Sequence, residues 1–258
     1  MKGIVINSSL CKYPVVRKCA TTSGWEEADE KSENWQIFWT DLSVSHQRVK
    51  ALQPLQRLNH FPDMTRLCHK AEGASILKGM LRYFYAEYHF FPNSWQLPKE
   101  TAQLHAHLAG QTGATALIFK PNKGCQGADI SIVTSADQLE EARLALGSTT
   151  SAVVQEYIDR PLLLGGHKFD LRLYVLVTSC TPLRIHLYRD GIARLCTEKY
   201  KPASACGGGA AGGGGGGPES DWRFCHLTNY AINKKHPDFH GGSKPKGGSG
   251  AGTDGDDG

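Results

Sequence analysis

The sequence lacks any apolar run close to the roughly 20 residues that a membrane-spanning helix needs. Near its N-terminus only Ile4, Val5 and Ile6 are strongly apolar before polar residues begin, so no secretory signal peptide is predicted. The sequence also has no large excess of one sign of charge. Its 29 Lys and Arg and 25 Asp and Glu give a net charge of +4. We therefore expect a reduced, cytoplasmic protein that binds neither membrane nor nucleic acid, while an acidic partner is allowed.

The sequence also lacks cysteine motifs. The eight cysteines include no C-x-x-C pair and show no spacing typical of metal ligands. We expect most of them to be buried thiols. They stand at Cys11, Cys19, Cys68, Cys125, Cys180, Cys196, Cys206 and Cys225.

What is present is an ordinary globular composition. The 258 residues are 40% hydrophobic and 21% charged, enough for one large or two modest domains. Changes of composition divide the chain into segments that are each uniform in character. The segments are N-terminal strands and a loop (1–51), a core (52–200), a disordered glycine-rich insertion (201–220), a remaining core segment (221–240) and a disordered tail (241–258).

The most informative stretch is a run of alternating residues from Phe169 to Val177. Apolar residues at every second position predict a β-strand with one buried face, which places Lys168, Asp170 and Arg172 together on the other face. Turn residues then separate two more strand-like runs, 183–188 and 192–194, with Asp190-Gly191 as the second turn. The pattern predicts an antiparallel meander that carries a charged row.

Such a row has an ordinary interpretation, because solvent faces of antiparallel sheets often carry charges that neutralise one another. The upstream sequence favours a different one. Strands are predicted at 115–120 and 153–158, and the loop Asn122–Gly127 and the strand 129–133 follow the first of them. A strand lysine, a glycine loop and a row of two cations and a carboxylate together indicate a nucleoside triphosphate site.

Two helices complete the predicted fold. Apolar residues recur at helical spacing over 76–84, and Ser135 with Gln138 forms a capping box before Leu139, Ala142 and Leu146. Two short strands are predicted at Gly3–Ile6 and Gln36–Trp39, with a loop around 26–33 between them. The fold class is therefore α+β, with mixed or antiparallel sheets and flanking helices.

Five motifs in a fixed order resemble the tubulin-tyrosine-ligase-like family, and within it the tubulin polyglutamylase branch. The resemblance covers roughly Leu52 to Phe239. The motifs are Arg57-Leu58-Asn59-His60-Phe61-Pro62, Phe91-Pro92-Asn93-Ser94-Trp95, Lys120-Pro121-Asn122-Lys123-Gly124-Cys125-Gln126-Gly127, Gly166 to Val177 and His226-Leu227-Thr228-Asn229-Tyr230. Their order makes the likeness far more specific than any single glycine motif.

The resemblance implies an ATP-grasp ligase that uses ATP and Mg²⁺. Two lobes would clamp ATP, whose γ-phosphate activates a glutamate side chain of a tubulin tail as an acyl phosphate. The amino group of free glutamate would then attack and form a glutamate branch. The implied partners are tubulin or microtubules, through their acidic C-terminal tails, and free glutamate. The implied location is the cytoplasm and the cytoskeleton, including the axoneme or basal body of a cilium or flagellum.

The resemblance also implies a role for each matched position. Lys168, Arg172 and Arg194 would be catalytic, and Arg194 and Tyr230 would bind the incoming amino acid. The nucleotide-binding positions would be Lys120, Gly124, Gln126, Gly127, Gln155, Glu156, Tyr157, Ile158, Lys168, Asp170, Thr228 and Asn229. From the residues alone, Arg194 could equally be a surface charge of a strand, and Thr228-Asn229 could be a helix cap.

Two departures from the family pattern bear on activity. Ala128 and Asp129 replace a basic residue and a glycine, and a carboxylate near phosphates would repel them. The family's Mg²⁺ ligands lie beyond the Thr-Asn motif, where this chain becomes glycine-rich, so its metal ligands are unknown. We therefore expect a chain truncated at its C-terminus or an inactive relative.

Other functions stay open. The alternative to a ligase is a relative that binds nucleotide or microtubules without catalysis. An ATP-grasp ligase for small molecules is a third candidate, but it would not carry the motifs at His60-Phe61-Pro62 and Phe91-Pro92. The sequence also does not decide between glutamate and glycine as donor, between starting and lengthening side chains, or between α- and β-tubulin.

Overall fold

The computed structural model describes residues 3–29, 31–111, 115–122, 129–147, 151–206 and 221–241. Most of the predicted glycine-rich insertion and of the predicted disordered tail, residues 207–220 and 242–258, lies outside these ranges. The chain forms two compact units, Met1–His89 and Phe90–Gly258. The finer division into five segments stays a prediction.

The first unit is built on four short parallel strands with helices between and after them. The strands are β1 (Val5–Asn7), β2 (Glu26–Glu27), β3 (Ile37–Phe38) and β4 (Arg57–Leu58), in the order β2-β1-β3-β4. The helices are α1 (Pro14–Thr22), α2 (His46–Lys50), α3 (Lys70–Tyr83) and α4 (Tyr85–Tyr88), with a 3-10 turn at Met64–Cys68. Ile6 and Phe38 are buried between these layers.

Most sequence predictions for this unit are confirmed. Strands lie near both predicted positions, and the predicted helix is present, although α3 already begins at Lys70. The predicted loop over 26–33 is wrong at its start, because Glu26 and Glu27 pair with β1 as an edge strand. Two glutamates carry little strand propensity, so only the pairing reveals this strand.

The second unit contains an antiparallel four-stranded sheet. Its strands are β5 (Ser94–Leu97), β6 (Leu117–Pro121), β7 (Ser131–Val133) and β8 (Ala152–Glu156), in the order β5-β8-β6-β7. One face packs against α5 (Thr101–Ala109) and α6 (Ala136–Ala145). The buried cluster between them is Trp95, Leu97, Leu104, Leu117, Phe119, Val133, Leu139, Ala142, Ala152 and Val154. Strands β6, β7 and β8 confirm the predicted ones.

The start of α6 confirms the predicted cap. The Ser135 hydroxyl accepts a hydrogen bond from the backbone N–H of Gln138 at 3.2 Å. Leu139 and Ala142 are buried, and Leu146 packs against the same core. Helix α6 therefore covers the sheet face that its apolar spacing predicts.

A long hairpin follows β8 in the chain and belongs to a separate three-stranded sheet. It consists of β10 (His167–Cys180) and β11 (Leu183–Leu195), and the short β9 (Leu163–Leu164) pairs with the start of β10. The first four residues of β10 are half-buried, but the rest of the strand is largely exposed. Leu171 on one face is 61% exposed and Leu176 on the other is 59% exposed. The prediction of one buried face is therefore wrong, because in the described ranges packing reaches only the base of the hairpin.

The predicted three-stranded meander is also wrong. Residues 183–195 form one strand, and Asp190-Gly191 lies inside it where the register shifts, since Leu173 pairs with Gly191 and Val175 with Leu187. A Cβ atom on Gly191 would stand 2.6 Å from the carbonyl oxygen of Arg172. The glycine that signals a turn in the sequence therefore permits a bulge.

Short helical segments follow the hairpin: a 3-10 turn at Ala203–Cys206, then α7 (Arg223–His226) and α8 (Tyr230–Asn233). No helix within the described ranges has the length and apolar character needed to cross a bilayer. The expectation of mostly buried cysteines holds only in part. Among the cysteines whose side chains are described, Cys11, Cys196 and Cys225 are buried, and Cys19, Cys68 and Cys180 are exposed.

Candidate functional site

A row of polar side chains crosses the face of the four-stranded sheet that lies opposite to the helices, a face that is itself largely buried. The ammonium group of Lys120 donates to Oε1 of Gln155 at 2.7 Å, and Nε2 of Gln155 donates to the hydroxyl of Ser94 at 2.8 Å. These residues come from the adjacent strands β6, β8 and β5 and share the face opposite to the helices. The row fixes the amide of Gln155 and holds the Lys120 ammonium above the sheet.

Glu156 points the other way. Its carboxylate accepts from Nδ2 of Asn93 at 3.0 Å and lies 3.1 Å from Nε2 of His107 on α5. Strand alternation explains this placement, since Glu156 shares its face with the buried Val154. The structure thus separates Glu156 from the Lys120 row, although both were predicted to bind nucleotide.

The glycine loop lies outside the described residues. Gly124, Gln126 and Gly127 fall in this gap, and their predicted contacts with nucleotide stay predictions. The chain becomes described again at Asp129, which is exposed and has φ of 55°. This left-handed conformation suits the glycine of the family pattern better than an aspartate.

A second cation, Lys168, is held near the end of β8 in a cluster formed by three separate segments. Nζ of Lys168, on β10, donates to the hydroxyl of Tyr157 at 2.8 Å and lies 4.5 Å from the centre of its ring. The same hydroxyl lies 2.7 Å from Nδ1 of His226, at the end of α7. Tyr157 stands two residues after Gln155, so one stretch of chain reaches both lysines.

Burial changes the protonation of this cluster. Desolvation lowers the pKa of Lys168, although neighbouring thiol and carboxyl groups, including Asp170, act in the opposite direction. Burial, followed by the positive charge of Lys168, lowers the pKa of His226 to about 4. Burial raises the pKa of Tyr157. At neutral pH the histidine and the phenol are therefore uncharged, which suits a hydrogen-bonded chain that ends on an ammonium group.

Asp170 anchors a third cation. Arg194, its register partner on β11, donates to both carboxylate oxygens, with Nε at 2.7 Å from Oδ1. The hydroxyl of Thr228 donates to Oδ2 at 2.7 Å. Burial of Asp170 opposes ionisation, but these hydrogen bonds and the charges of Arg194 and Arg172 outweigh it and lower its pKa. The hydrogen bond to Asp170 in turn raises the pKa of Arg194.

Arg194 is therefore more than a surface charge, because its planar fork is bidentate on a carboxylate. Asn229 occupies the N-cap position of α8, but its side chain makes no capping hydrogen bond. Thr228 instead reaches Asp170. The structure thus joins Asp170, Arg194 and Thr228 as one group.

Three predicted site residues are exposed. Arg172 lies beyond Asp170 on β10, opposite Ile192. Ile158 is 58% exposed, and Tyr230 is 61% exposed with its ring edge-on to Phe239. These residues border the cluster and are open to a ligand.

Asn233 braces the loop that carries Thr228. Its Oδ1 accepts from the backbone N–H and from the hydroxyl of Thr197, both at 2.8 Å. Its Nδ2 donates to the backbone oxygens of Leu227 at 2.6 Å and Asn229 at 3.1 Å. This buried amide therefore ties residues 227–229 to the end of the hairpin.

Sequence reasoning missed Ser94, His226 and Asn233 as site residues. Ser94 and His226 lie inside motifs that were recognised, so the motif was a signal for both. Asn233 gave none, because its partners become visible only once Thr197 is brought next to α8.

Three positively charged side chains of the second unit are each held by a neighbouring side chain. They are Lys120, Lys168 and Arg194, each fixed by a hydrogen bond within that unit. Fixed cations of this kind are what a polyphosphate requires. In the described part of the chain, no group of three or more His, Cys, Asp and Glu side chains is arranged to hold a metal ion.

Comparison with known proteins finds a matching family model and several similar proteins. A family model described as the tubulin-tyrosine ligase family matches residues 47–249. Tubulin polyglutamylase TTLL6 of Mus musculus is 37% identical over 238 residues, which are 92% of this chain and 26% of that protein.

Two further relatives, both human, are similar over the same share of the chain. Tubulin polyglutamylase TTLL13 of Homo sapiens is 37% identical, covering 92% of this chain and 27% of that protein. Tubulin polyglutamylase TTLL7 of Homo sapiens is 34% identical, covering 92% and 25%. The chain thus spans about a quarter of the length of the curated relatives it matches.

Proposed function

Because this chain belongs to the tubulin-tyrosine ligase family, we propose that it acts as an ATP-dependent ligase that adds glutamate to glutamate side chains of tubulin C-terminal tails. The observation that carries the proposal is the set of three held cations, Lys120, Lys168 and Arg194, inside the region that matches the family. The first relatives in similarity are named tubulin polyglutamylases, which supports glutamate as the added residue.

The nucleotide would lie near the Lys120 end of the four-stranded sheet, on the side opposite to its helices. ATP, when bound, supplies the phosphoryl group that makes a carboxylate reactive towards an amine. Lys120 and Lys168 would hold the phosphates, and the backbone beyond Gln155, with Ile158, would meet the adenine. The hydroxyl of Tyr157 accepts a hydrogen bond from Lys168, so the Tyr157 side chain would lie at the phosphate end of the site. The mixed α+β architecture supports an ATP-grasp fold.

The substrate would lie towards the hairpin. Arg194 is oriented by Asp170, and Arg172 and Tyr230 are exposed beside it, so a free amino acid's carboxylate could be bound there. The amino nitrogen of glutamate would bond to the phosphorylated side-chain carboxyl carbon of the tail, as the C–O bond to phosphate breaks and phosphate leaves with loss of a proton from the amine. The exposed Arg172 would also attract an acidic tail. Mg²⁺ stays part of the proposal as the usual partner of ATP, although the described residues do not form a metal site.

The proposed location follows from the proposed substrate. A protein that modifies tubulin tails would be found in the cytoplasm on microtubules, and in an axoneme or basal body where a cilium or flagellum is present. The positive net charge of +4 is compatible with an acidic polymer as partner.

The proposal is tested by incubating the chain with labelled glutamate, ATP, Mg²⁺ and microtubules. We expect label in tubulin, a loss of at least about a hundredfold in Lys168→Ala, and no loss in Lys18→Ala, which removes an exposed lysine of the first unit. Parallel reactions with labelled glycine decide the donor. Absence of incorporation with ATP binding retained would contradict the ligase and leave the alternative, a relative that only binds nucleotide.

A further inference from the structure

The Lys168 ammonium is the end of a directed chain of hydrogen bonds. Lys168, Tyr157 and His226 come from three separate segments, and their polar atoms meet at 2.8 Å and 2.7 Å. The ammonium group only donates, and the phenol has a single proton. When Lys168 is charged, the phenol oxygen accepts from it. In the Nε2–H tautomer of His226 the phenol proton is donated to Nδ1, and Tyr200 is a second side-chain hydrogen-bond partner of the phenol.

This direction requires a neutral histidine with an unprotonated Nδ1. His226 is 1% exposed, and burial together with the charge of Lys168 keeps its pKa near 4. A neutral imidazole has one unprotonated nitrogen, and in the Nε2–H tautomer that nitrogen is Nδ1, the acceptor that the chain needs.

The imidazole of His226 is also fixed in place. It is surrounded by the rings of Tyr157, Tyr200 and Trp222, whose centres lie 5.6, 5.2 and 6.0 Å from its own. The ring of Tyr200 is itself held, because its hydroxyl donates to the carboxylate of Asp159 at 2.9 Å. A fixed imidazole fixes the phenol, and the phenol fixes one of the three donors of Lys168. Within the described ranges the ammonium group makes no second hydrogen bond.

We propose that His226 is a positioning residue, which acts through Tyr157 to hold the Lys168 ammonium where a nucleotide phosphate is bound. The inference rests on the proposed function, because it takes an anionic phosphate as the ligand of Lys168. His226 itself touches neither nucleotide nor substrate. It therefore affects binding only for as long as the Tyr157 hydroxyl is present.

Because His226 is proposed to act only through Tyr157, a double-mutant cycle of these two residues is the sharpest test. Tyr157→Phe removes only the hydroxyl, His226→Leu removes the acceptor at similar volume, and His226→Asn keeps an acceptor near Nδ1. We expect the first two variants each to weaken binding of a fluorescent ATP analogue by about tenfold, the loss of one hydrogen bond to a charged group. The double variant should also lose about tenfold, and His226→Asn should stay within about threefold of the wild type.

A second readout does not depend on nucleotide. The rate at which an acylating reagent modifies Lys168 in the free chain, measured by mass spectrometry, should rise several-fold in Tyr157→Phe and His226→Leu and stay near the wild-type rate in His226→Asn. Thermal melts of every variant identify those that fail to fold. Tyr157→Phe, which keeps the ring and its packing, maintains the test if His226→Leu does not fold.

The outcomes separate this inference from the function on which it rests. If Lys168→Ala binds the analogue as well as the wild type, the phosphate role of Lys168 is wrong. If Lys168→Ala loses binding while Tyr157→Phe and His226→Leu keep wild-type affinity and reactivity, the positioning role is wrong. Losses that multiply to about a hundredfold in the double variant would also overturn it, because independent packing effects add in free energy.

Discussion

The hydroxyl of Thr228 donates a hydrogen bond of 2.7 Å to the carboxylate of Asp170, although the two residues are 58 positions apart. The same carboxylate is held by Arg194 from the neighbouring strand. One aspartate therefore joins the base of the hairpin to the segment after residue 220. The hydrogen bonds of Asn233 to Thr197 reinforce that junction a few residues further on.

The Asp170 junction should depend on pH. The pKa of Asp170 is lowered in the folded chain, so its stabilising contribution is present above the ordinary pKa of aspartate, about 4, and is lost as the pH falls through the lowered value. We expect wild-type chain to lose more stability than Asp170→Asn between pH 6 and pH 3, measured by urea unfolding. The exposed Asp238→Asn should keep the wild-type dependence. Identical pH profiles for wild type and Asp170→Asn would contradict the junction.

Replacement of the Asn233 amide nitrogen by an oxygen should destabilise the fold. Asn233→Asp places a carboxylate oxygen beside the carbonyl oxygens of Leu227 and Asn229, which now accept from Nδ2. We expect a loss of roughly 2–4 kcal/mol in the free energy of unfolding, because buried acceptors would face one another. The exposed Asn34→Asp should change it by less than about 0.5 kcal/mol. Equal effects of the two changes would refute the bracing role.

The bulge in β11 should require glycine. Gly191→Ala would bring a Cβ atom to 2.6 Å from the backbone oxygen of Arg172, so we expect a loss of roughly 1–3 kcal/mol. Gly79→Ala lies inside α3 with no atom within 4 Å of the new methyl group, and should stabilise the helix by roughly 0.5–1 kcal/mol. Thermal melting measures both changes. A neutral Gly191→Ala variant would show that the register shift is absent.

Asp129 combines two effects that substitutions can separate. Its φ of 55° is costly for a residue with a Cβ atom, and its carboxylate follows the glycine loop predicted to bind phosphate. Asp129→Gly should raise stability by about 1 kcal/mol and also strengthen ATP binding. Asp129→Asn should strengthen ATP binding with little change in stability. If neither variant changes ATP affinity, the side chain points away from the phosphates.

The sequence predicts best what local patterns decide. Strands β6 and β8 follow from apolar runs, and the cap of α6 follows from Ser135 and Gln138, because all of these depend on neighbours in the chain. The exposure of Leu171 could not be predicted, since alternation shows that a face is apolar but not whether anything packs on it. Asp190-Gly191 has the composition of a turn, and only the pairing of β10 with β11 shows a bulge.

The site follows the same rule. The family resemblance predicts Lys120, Lys168, Asp170 and Arg194 as site residues, and their roles stay predictions. The links between them could not be predicted, because the His226–Tyr157 contact spans 69 positions and the Asn233–Thr197 contact spans 36. Contacts of that separation depend on how the elements pack.

Our central proposal is that Lys120, on β6, and Lys168, at the start of β10, bind the phosphates of one ATP. Isothermal titration of ATP into the wild-type chain and into Lys120→Ala and Lys168→Ala tests it most directly. The account predicts one ATP per chain and a loss of about tenfold or more in affinity for each variant, because each substitution removes a charged donor to phosphate. Failure of the folded wild-type chain to bind ATP, or equal affinity in all three proteins, would contradict it.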